Sequence, residues 1–272
     1  MTTPVSPAPR GVVLAASGRR YVTLARQTAE SIAATCPGLP VDLFTDGDTD
    51  PGPFAQVHKL DRSWFRPKFE ALVRSRFERT LYMDVDIVVV GDLSDVFDIL
   101  DRFDIAATHV QNRNQSFAMR PWRKPLPNAF PQINGGLMAV KRSADTDALF
   151  QAVQQALIEE NLPQDQPVLR ELLYDSDLRL AILPPEYNLR DRTLWRFSGS
   201  KLPAPRVLHN TAFITRMTDD GPPPSPDQIY GRWFMRHVRK MIAADRQLTP
   251  GTRARAAAPF DIPGQIRDLL RR

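Results

Sequence analysis

The chain has 272 residues, of which 42% are apolar, and it carries a formal net charge of +5. This length fits one large domain or two small ones with a full hydrophobic core, and the single cysteine, Cys36, excludes an internal disulfide or a cysteine-built zinc site. No segment approaches the ~18 apolar residues of a membrane span. Residues 1–10 also lack the apolar core of a signal peptide, so we expect a cytoplasmic protein.

The positive charge is concentrated near the C-terminus. Residues 228–272 contain ten Arg or Lys and three Asp, a net charge of +7, which leaves −2 for residues 1–227. A solvated helix face is the ordinary explanation, whereas an anionic membrane surface, contacted peripherally, or an anionic acceptor would give the charge a function. Nucleic acid is not expected as a partner, because no helix-turn-helix, zinc or RNA-binding pattern accompanies the charge.

Strand and helix signals alternate along most of the chain. Strands are predicted over 11–16, 41–44, 80–84, 87–90, 105–108, 136–140, 180–183 and 206–209, and helices over 21–35, 67–77, 93–100, 144–160, 163–173 and 226–244. This alternation is typical of an α/β fold with parallel βαβ units. We predict a flexible leader over 1–10, one α/β domain over 11–220, and a Pro-rich linker with a basic helical tail over 221–272, packed on the domain or appended to it.

The most informative stretch is the central strand that ends in Leu81-Tyr-Met-Asp84-Val-Asp86. In a strand, the two carboxylates point to one side. Two acids on one face repel each other, and burying them unpaired costs several kcal/mol, so a bound cation is the natural remedy.

Further polar residues follow other predicted strands, where ligands of open α/β sheets bind. They are Ser17, Asp46, His109, Asn134 and His209. The Asp-X-Asp pair with one distant His supplies three metal ligands; the oxygens favour Mg²⁺ or Mn²⁺, and the imidazole tilts the choice toward Mn²⁺. The polar, Pro-rich stretch 109–132 is predicted as a functional loop without regular structure that shapes an acceptor site.

Several motifs occur in one order along residues 11–216. They are Lys68 with Ala71-Leu72, Leu81-Tyr-Met-Asp-Val-Asp86, residues 90–97, Ile133-Asn-Gly-Gly136, Asp165-Gln166, Leu183-Pro-Pro-Glu-Tyr-Asn188 and Val207-Leu-His209. In these motifs the chain resembles the GT-A nucleotide-sugar glycosyltransferases, in particular the retaining, family-8-like group of glycogenin and the bacterial lipopolysaccharide galactosyltransferases. The resemblance implies a GT-A (Rossmann-like) mixed, mostly parallel sheet flanked by helices.

The resemblance also implies an activity: transfer of a sugar from a nucleoside diphosphate sugar to a glycan, lipid-linked or protein acceptor, with retention of configuration. A UDP-sugar is favoured and a GDP-sugar is the alternative, with Mn²⁺, or else Mg²⁺, as the metal. The implied metal ligands are Asp84, Asp86 and His209. Donor contacts are implied for Ala15, Ala16, Tyr21, Lys68 and Asp84. The implied catalytic residues, beside the transferred sugar, are Asn134, Asp165 and Gln166, with Asp165 or Gln166 expected to steady the oxocarbenium-like state.

Two departures from the family pattern concern the diphosphate and the sugar. The family has Gly and then Lys after its metal-binding His, and both are missing after His209; Arg216, one residue beyond the position of that Lys, is the expected substitute. Gly135 stands where the family has Ser or Ala, which predicts more room around the sugar.

Each of these residues also has a plain structural explanation. The Asp84–Asp86 pair could bond nearby backbone, His209 could be a core residue, and Lys68 could lie on a helix surface. Tyr21 could be ordinary packing, Asn134 could bond loop backbone, and Asp165 could cap a helix.

Three other functions share single features with this sequence. Residues 83–88 resemble the nucleophile motif of haloacid-dehalogenase phosphatases, but the acid motif of that family does not follow. Residues 14–18 resemble the start of sugar nucleotidyltransferases, but the additional glycines and the Pro-Lys of that family are absent. A non-enzymatic anion-binding protein that uses the basic tail would not need the metal-ligand pattern.

Overall fold

The computed structural model describes residues 9–61, 66–197, 202–218 and 221–248. In these ranges the strands are β1 (Arg10–Ala16), β2 (Val41–Thr45), β3 (Gln56–Lys59), β4 (Arg79–Met83), β5 (Ile87–Val89), β6 (Ile105–His109), β7 (Ile133–Lys141), β8 (Leu180–Ile182) and β9 (Val207–His209). The helices are α1 (Arg19–Thr35), α2 (Lys68–Val73), α3 (Val96–Ile99), α4 (Ser116–Met119), α5 (Ala144–Glu159), α6 (Gln166–Tyr174), α7 (Thr193–Phe197), α8 (Ala212–Thr215), α9 (Pro226–Tyr230) and α10 (Arg232–Ala244), and a 3₁₀ turn covers Pro185–Tyr187.

Seven of these strands form one sheet in the order β3-β2-β1-β4-β7-β6-β8. Neighbours from β3 to β4 are parallel, β7 is antiparallel to β4 and β6, and β6 is parallel to β8. The predicted fold class, a mixed and mostly parallel α/β sheet flanked by helices, is confirmed.

Strand β1 shows why the sheet is covered on both faces. Val12 and Leu14 pack in one core cluster with residues of α1, whereas Val13 packs in a second cluster with Phe69 of α2 and Phe150 of α5. Because successive side chains of a strand point to opposite faces, a continuous apolar run requires a helix layer on each side.

A small second sheet positions the acidic stretch. In it β5 and β9 pair antiparallel, with Ile87 opposite His209. The chain therefore leaves the main sheet at the end of β4 and enters this second sheet at Ile87, three residues after Asp84. Residues 84–86 lie at the junction of the two sheets.

Several element bounds differ from the prediction. The helix predicted over 67–77 ends at Val73, because the Ser75 hydroxyl accepts the Phe77 N–H and bonds Thr80, which diverts the backbone from helical bonding. Strand β3 is missed by the sequence pattern, since it is an edge strand with mostly polar, partly exposed residues. The predicted loop 109–132 contains the short helix α4.

The helix predicted over 226–244 is two helices, α9 and α10. Gly231 separates them with φ of 88°, a conformation that glycine adopts without steric cost. Ile229, Phe234, Val238 and Met241 lie in the same core cluster as β1, so this part of the tail packs on the sheet domain. The division of the chain at residue 220 stays a prediction, and five of the ten basic residues lie in 249–272, outside the described residues. No helix of the described ranges has the length and apolarity needed to cross a membrane.

Candidate active site at the ends of the central strands

A cavity of about 680 Å³ opens where β1 and β4 end. It is lined by nine of the eleven residues predicted for the site: Ala15, Ala16, Tyr21, Lys68, Asp84, Asp86, Asn134, Gln166 and His209. The other two are placed differently. Asp165 contacts Lys68 from behind the cavity wall, and Arg216 is not part of the described lining.

Asp84 is held at the end of β4 by two hydrogen bonds. Its N–H donates to the Gly136 carbonyl at 2.8 Å, and the Tyr82 hydroxyl donates to its Oδ1, also at 2.8 Å. Burial, followed by the charge of Asp84, raises the pKa of Tyr82 well above its ordinary value. The hydroxyl therefore stays protonated, and it fixes one carboxylate oxygen while the other remains open.

Asp86 and His209 meet because β5 pairs with β9. The His209 Nε2 lies 3.1 Å from the Asp86 Oδ1, and both side chains are buried. Burial would raise the pKa of Asp86, but the charge and hydrogen bond of His209, together with the Arg190 guanidinium, hold it below its ordinary value. The Asp86 side chain is thus held as a carboxylate.

Asn188 orients the imidazole of His209. Its Oδ1 lies 2.8 Å from Nδ1, and Asn188 is fully buried. An amide oxygen accepts a hydrogen bond, so Nδ1 carries a proton, and Nε2 is the nitrogen that would exchange its hydrogen bond to Asp86 for a metal ion. This is the arrangement by which a neighbouring group usually prepares a histidine for metal binding.

These three side chains fit a divalent cation. One ligand atom from each of Asp84, Asp86 and His209 lies within 4.8 Å of the others. Two carboxylate oxygens and one imidazole nitrogen suit Mn²⁺ or Mg²⁺. The explanation that the acids merely bond backbone, or that His209 is an ordinary core residue, leaves this convergence unexplained.

The two glycines of Ile133-Asn-Gly-Gly136 allow close packing around the cluster. A Cβ on Gly136 would lie 2.9 Å from the Asp84 Oδ2 and would collide with the His209 ring. A Cβ on Gly135 would lie 2.8 Å from the Lys68 Nζ. The extra room around the sugar predicted from Gly135 is therefore wrong, because the Lys68 ammonium fills it.

Lys68 and Asp165 form a buried ion pair beside the cavity. Lys68 begins α2, Asp165 precedes α6, and the Nζ contacts the Asp165 Oδ2; the Arg66 Nη1 lies 3.4 Å from the other oxygen. Burial would raise the pKa of Asp165, but the charges of Lys68 and Arg66 outweigh it and hold the pKa below its ordinary value. Asp165 makes no side-chain cap to α6, and Lys68 is not a surface lysine.

Two amide side chains that line the cavity have their oxygens hydrogen-bonded within the protein. The Asn134 Oδ1 accepts the Gly136 N–H at 2.9 Å, and the Gln166 Oε1 accepts from the Gln132 Nε2 at 2.8 Å. Since the protein occupies both amide oxygens, the nitrogens remain as donors for a ligand. Such donors match the hydroxyl oxygens of a sugar.

The opposite end of the cavity suits a flat ring. Ala15 and Ala16 end β1, and the Tyr21 side chain is 40% exposed at the start of α1. Asp46 holds the turn between them: its carboxylate contacts the Ser17 hydroxyl and accepts the Gly18 N–H at 2.9 Å. An exposed tyrosine on a fixed turn is a suitable stacking surface for a nucleoside base.

The cavity also contains residues that the sequence analysis missed, among them Arg66, Arg190 and Thr211. Arg190 comes two residues after the Leu183–Asn188 motif, and this closeness is the sequence feature that could have indicated a site residue. Arg216, the expected diphosphate ligand, instead donates to the Gln228 carbonyl at 3.0 Å.

Solved structures share this fold. The glycosyltransferase GlyE of Streptococcus pneumoniae TIGR4 superposes with a TM-score of 0.53 at 18% identity, over 85% of this chain and 60% of GlyE. The galactosyltransferase LgtC, solved with donor and acceptor sugar analogs, gives 0.53 at 13% identity, over 89% of this chain and 98% of LgtC. The bifunctional WbbM gives 0.50 at 15% identity, and this chain covers 46% of it. The fold is that of the GT-A glycosyltransferases.

The family follows from the sequence. The profile of the family described as nucleotide-diphospho-sugar transferase matches residues 22–217, which is more than half of the chain. The chain belongs to this family, as its motifs predicted. The phosphatase and nucleotidyltransferase alternatives are thereby set aside. A search of curated proteins finds no match.

Proposed function

We propose that the protein transfers a hexose from a nucleoside diphosphate sugar, with a UDP-sugar favoured and a GDP-sugar as the alternative. The acceptor is a glycan, a lipid-linked glycan or a protein, and the anomeric configuration is retained. The observation that carries the proposal is the convergence of Asp84, Asp86 and His209 within 4.8 Å in a cavity that also contains Lys68 and Tyr21. The likeness to LgtC, a galactosyltransferase, supports a hexose donor.

The metal requirement is part of the proposal. Asp84, Asp86 and His209 would hold Mn²⁺, with Mg²⁺ as the alternative, and Asn188 keeps His209 in the ligating tautomer. A bound divalent cation would stabilise the negative charge on the departing diphosphate. Lys68, buried beside the same cavity, adds positive charge to that end of the donor.

The other residues bind and orient the donor. Tyr21 stacks on the base, and the amino groups of Asn134 and Gln166 donate to sugar hydroxyls. Asp165 does not attack the sugar, since its carboxylate is buried against Lys68 and does not line the cavity. Among the described residues that line the cavity, the only carboxylates are the proposed metal ligands, so none is placed as a nucleophile. Attack by the acceptor from the same face as the leaving group therefore agrees with retention of configuration.

Calorimetry tests the donor and the metal together. UDP and GDP are titrated into the protein with Mn²⁺, with Mg²⁺ and after chelation with EDTA. We expect one nucleotide to bind with Mn²⁺ and binding to weaken by at least tenfold on chelation. Absence of binding by both nucleotides under all conditions would refute the proposal. A screen of nucleotide sugars for Mn²⁺-stimulated hydrolysis then identifies the sugar.

We also propose a peripheral contact with anionic membranes on the cytoplasmic side. The face of α10 that is not packed on the core carries Arg232, Arg236, Arg239 and Lys240, all exposed. Each basic residue near an anionic surface contributes about 1 kcal/mol of binding. Flotation with phosphatidylglycerol vesicles should recover the protein, and flotation with neutral vesicles should not. A variant with Gln in place of Arg232, Arg236 and Lys240 should not float with phosphatidylglycerol vesicles either. Equal recovery in all cases would contradict this contact.

A further inference from the structure

We infer that Arg190 binds the donor diphosphate, in the role that the motif pattern would assign to Arg216. The inference rests on the proposed function, because it concerns the same cavity and the same donor. It is carried by the position of Arg190 beside the proposed metal ligands and by the hydrogen-bonding state of its guanidinium.

The backbone of Arg190 is fixed next to His209. Leu189 extends the small sheet: its N–H donates to the Val207 carbonyl at 2.9 Å, and its carbonyl accepts the His209 N–H at 3.0 Å. On the other side, the Gln111 Oε1 accepts the N–H groups of Arg190 and Asp191 at 3.3 and 2.8 Å. The side chain therefore starts from a rigid position at the rim of the metal cluster.

Arg190 lines the cavity, and its guanidinium has donors available. Its Nη1 lies 4.0 Å from the Asp86 Oδ2, beyond hydrogen-bond length, and the side chain is 32% exposed. Among the described residues, no hydrogen bond links this guanidinium to the protein.

The other two cationic side chains of the cavity have anionic partners. Lys68 contacts Asp165, and Arg66 approaches the same carboxylate and also donates to the Pro163 carbonyl. A divalent cation would in turn balance Asp84 and Asp86. Arg190, whose Nη1 lies 4.0 Å from Asp86, would then have its charge available for an anionic ligand.

A guanidinium suits that ligand, because its planar fork donates two parallel hydrogen bonds to phosphate oxygens. When the bond between the sugar and the phosphate oxygen breaks, its electron pair stays on the diphosphate; the acceptor oxygen forms the new bond to the sugar, and its proton passes to the departing phosphate oxygen. Arg190 would thus meet more negative charge in the transition state than in the bound donor.

The test compares Arg190→Gln with a matched control, Arg216→Gln. UDP and GDP are titrated with Mn²⁺ present. We expect Arg190→Gln to weaken binding of the nucleotide by about 10- to 100-fold, Arg190→Lys to restore part of it, and Arg216→Gln to stay within about twofold of the unmodified protein. Mn²⁺ alone, followed by electron paramagnetic resonance, should bind Arg190→Gln at least as tightly, because a positive charge near Asp86 has been removed.

The outcomes separate the two proposals. If the unmodified protein binds neither nucleotide, the proposed function fails, and the role of Arg190 fails with it. If it binds one and Arg190→Gln binds equally well, or Arg216→Gln loses as much affinity, the inference about Arg190 alone is overturned. Should Arg190→Gln not fold by circular dichroism, Arg190→Met, which keeps the apolar stem, must show the same loss; unchanged affinity of that variant overturns the inference.

Discussion

Two charged groups of residues lie beside the same cavity and differ in how their charges are balanced. The metal-side cluster, Asp84, Asp86 and His209, combines two carboxylates with one imidazole whose other nitrogen is held by Asn188. The sugar-side pair, Lys68 and Asp165, is a cation in contact with an anion. The first group repels itself unless a cation binds, whereas the second is balanced within the protein.

The difference in charge balance indicates that the first group binds a ligand and that the second fixes the position of its own side chains. Buried like charges are costly, so a cluster of them indicates a ligand of opposite charge. A buried pair of opposite charges stabilises its own geometry, and here it sets where the Lys68 ammonium lies. Substitutions should therefore affect chemistry at the metal-side cluster and folding at the sugar-side pair.

The largest effect is expected from Asp86→Asn. Losing one anionic metal ligand should lower the transfer rate by about 10³-fold, since the charge of the leaving diphosphate is no longer stabilised. The free energy of unfolding should change by no more than about 2 kcal/mol. Steady-state transfer and urea unfolding measure the two quantities, with Asp98→Asn, an exposed acid on α3, as control. Full turnover by Asp86→Asn would remove the metal from the mechanism.

Asp165→Asn should act on stability instead. It leaves the buried Lys68 cation without its partner, which should cost about 3–5 kcal/mol of unfolding free energy. Replacing Lys68 by Met as well should recover much of that loss. If Asp165→Asn were as stable as the unmodified protein, the pair would have no structural role.

The lowered pKa of Asp165 predicts how the stabilisation by the Lys68–Asp165 pair depends on pH. The pair stabilises the fold fully above the ordinary carboxyl pKa of 3.8, and the contribution is lost as the pH falls through the lower folded value. Urea unfolding at several pH values should show a constant gap between the unmodified protein and Asp165→Asn near neutrality, narrowing only in acid. A gap that closes between pH 6 and 8 would assign the effect to another group.

Asn188→Leu tests the orientation of the metal-side cluster. Removing the oxygen that accepts the Nδ1 proton of His209 should weaken Mn²⁺ binding about 10- to 100-fold. Asn188→Asp, which keeps an acceptor there, should bind Mn²⁺ more tightly than Asn188→Leu. Paramagnetic resonance measures the affinity, and ¹⁵N shifts of His209 report the tautomer. An unchanged tautomer in Asn188→Leu would contradict the assignment.

The smallest effect is expected from Gly135→Ala. The added Cβ would meet the Lys68 Nζ at 2.8 Å, and the end of a lysine can move aside, so nucleotide affinity should fall only about two- to fivefold. Gly136→Ala is the matched comparison, because its Cβ meets the His209 ring and Asp84; it should impair Mn²⁺ binding severely. Equal losses of Mn²⁺ and nucleotide affinity in the two variants would mean that the Lys68–Asp165 pair and the metal-side cluster do not act independently.

Local patterns were enough to predict most of the fold and much of the site. The alternation of apolar runs and helical faces predicted the mixed α/β sheet, because burial depends on periodicity. The Asp84-X-Asp86 pair at a strand end predicted the acidic cluster, although residues 84–86 form a bend between β4 and β5 and not a continued strand. The ordered motifs pointed to the family that the profile match shows.

Tertiary structure alone decided which distant side chains meet. Arg190 rather than Arg216 reaches the cavity, because Leu189 pairs with β9 while Arg216 bonds Gln228. Gly135 frees space that Lys68 fills, because α2 and α6 bring Lys68 and Asp165 together behind it. Such contacts join residues far apart in the chain, and their geometry depends on strand register and helix packing, which no local spacing encodes.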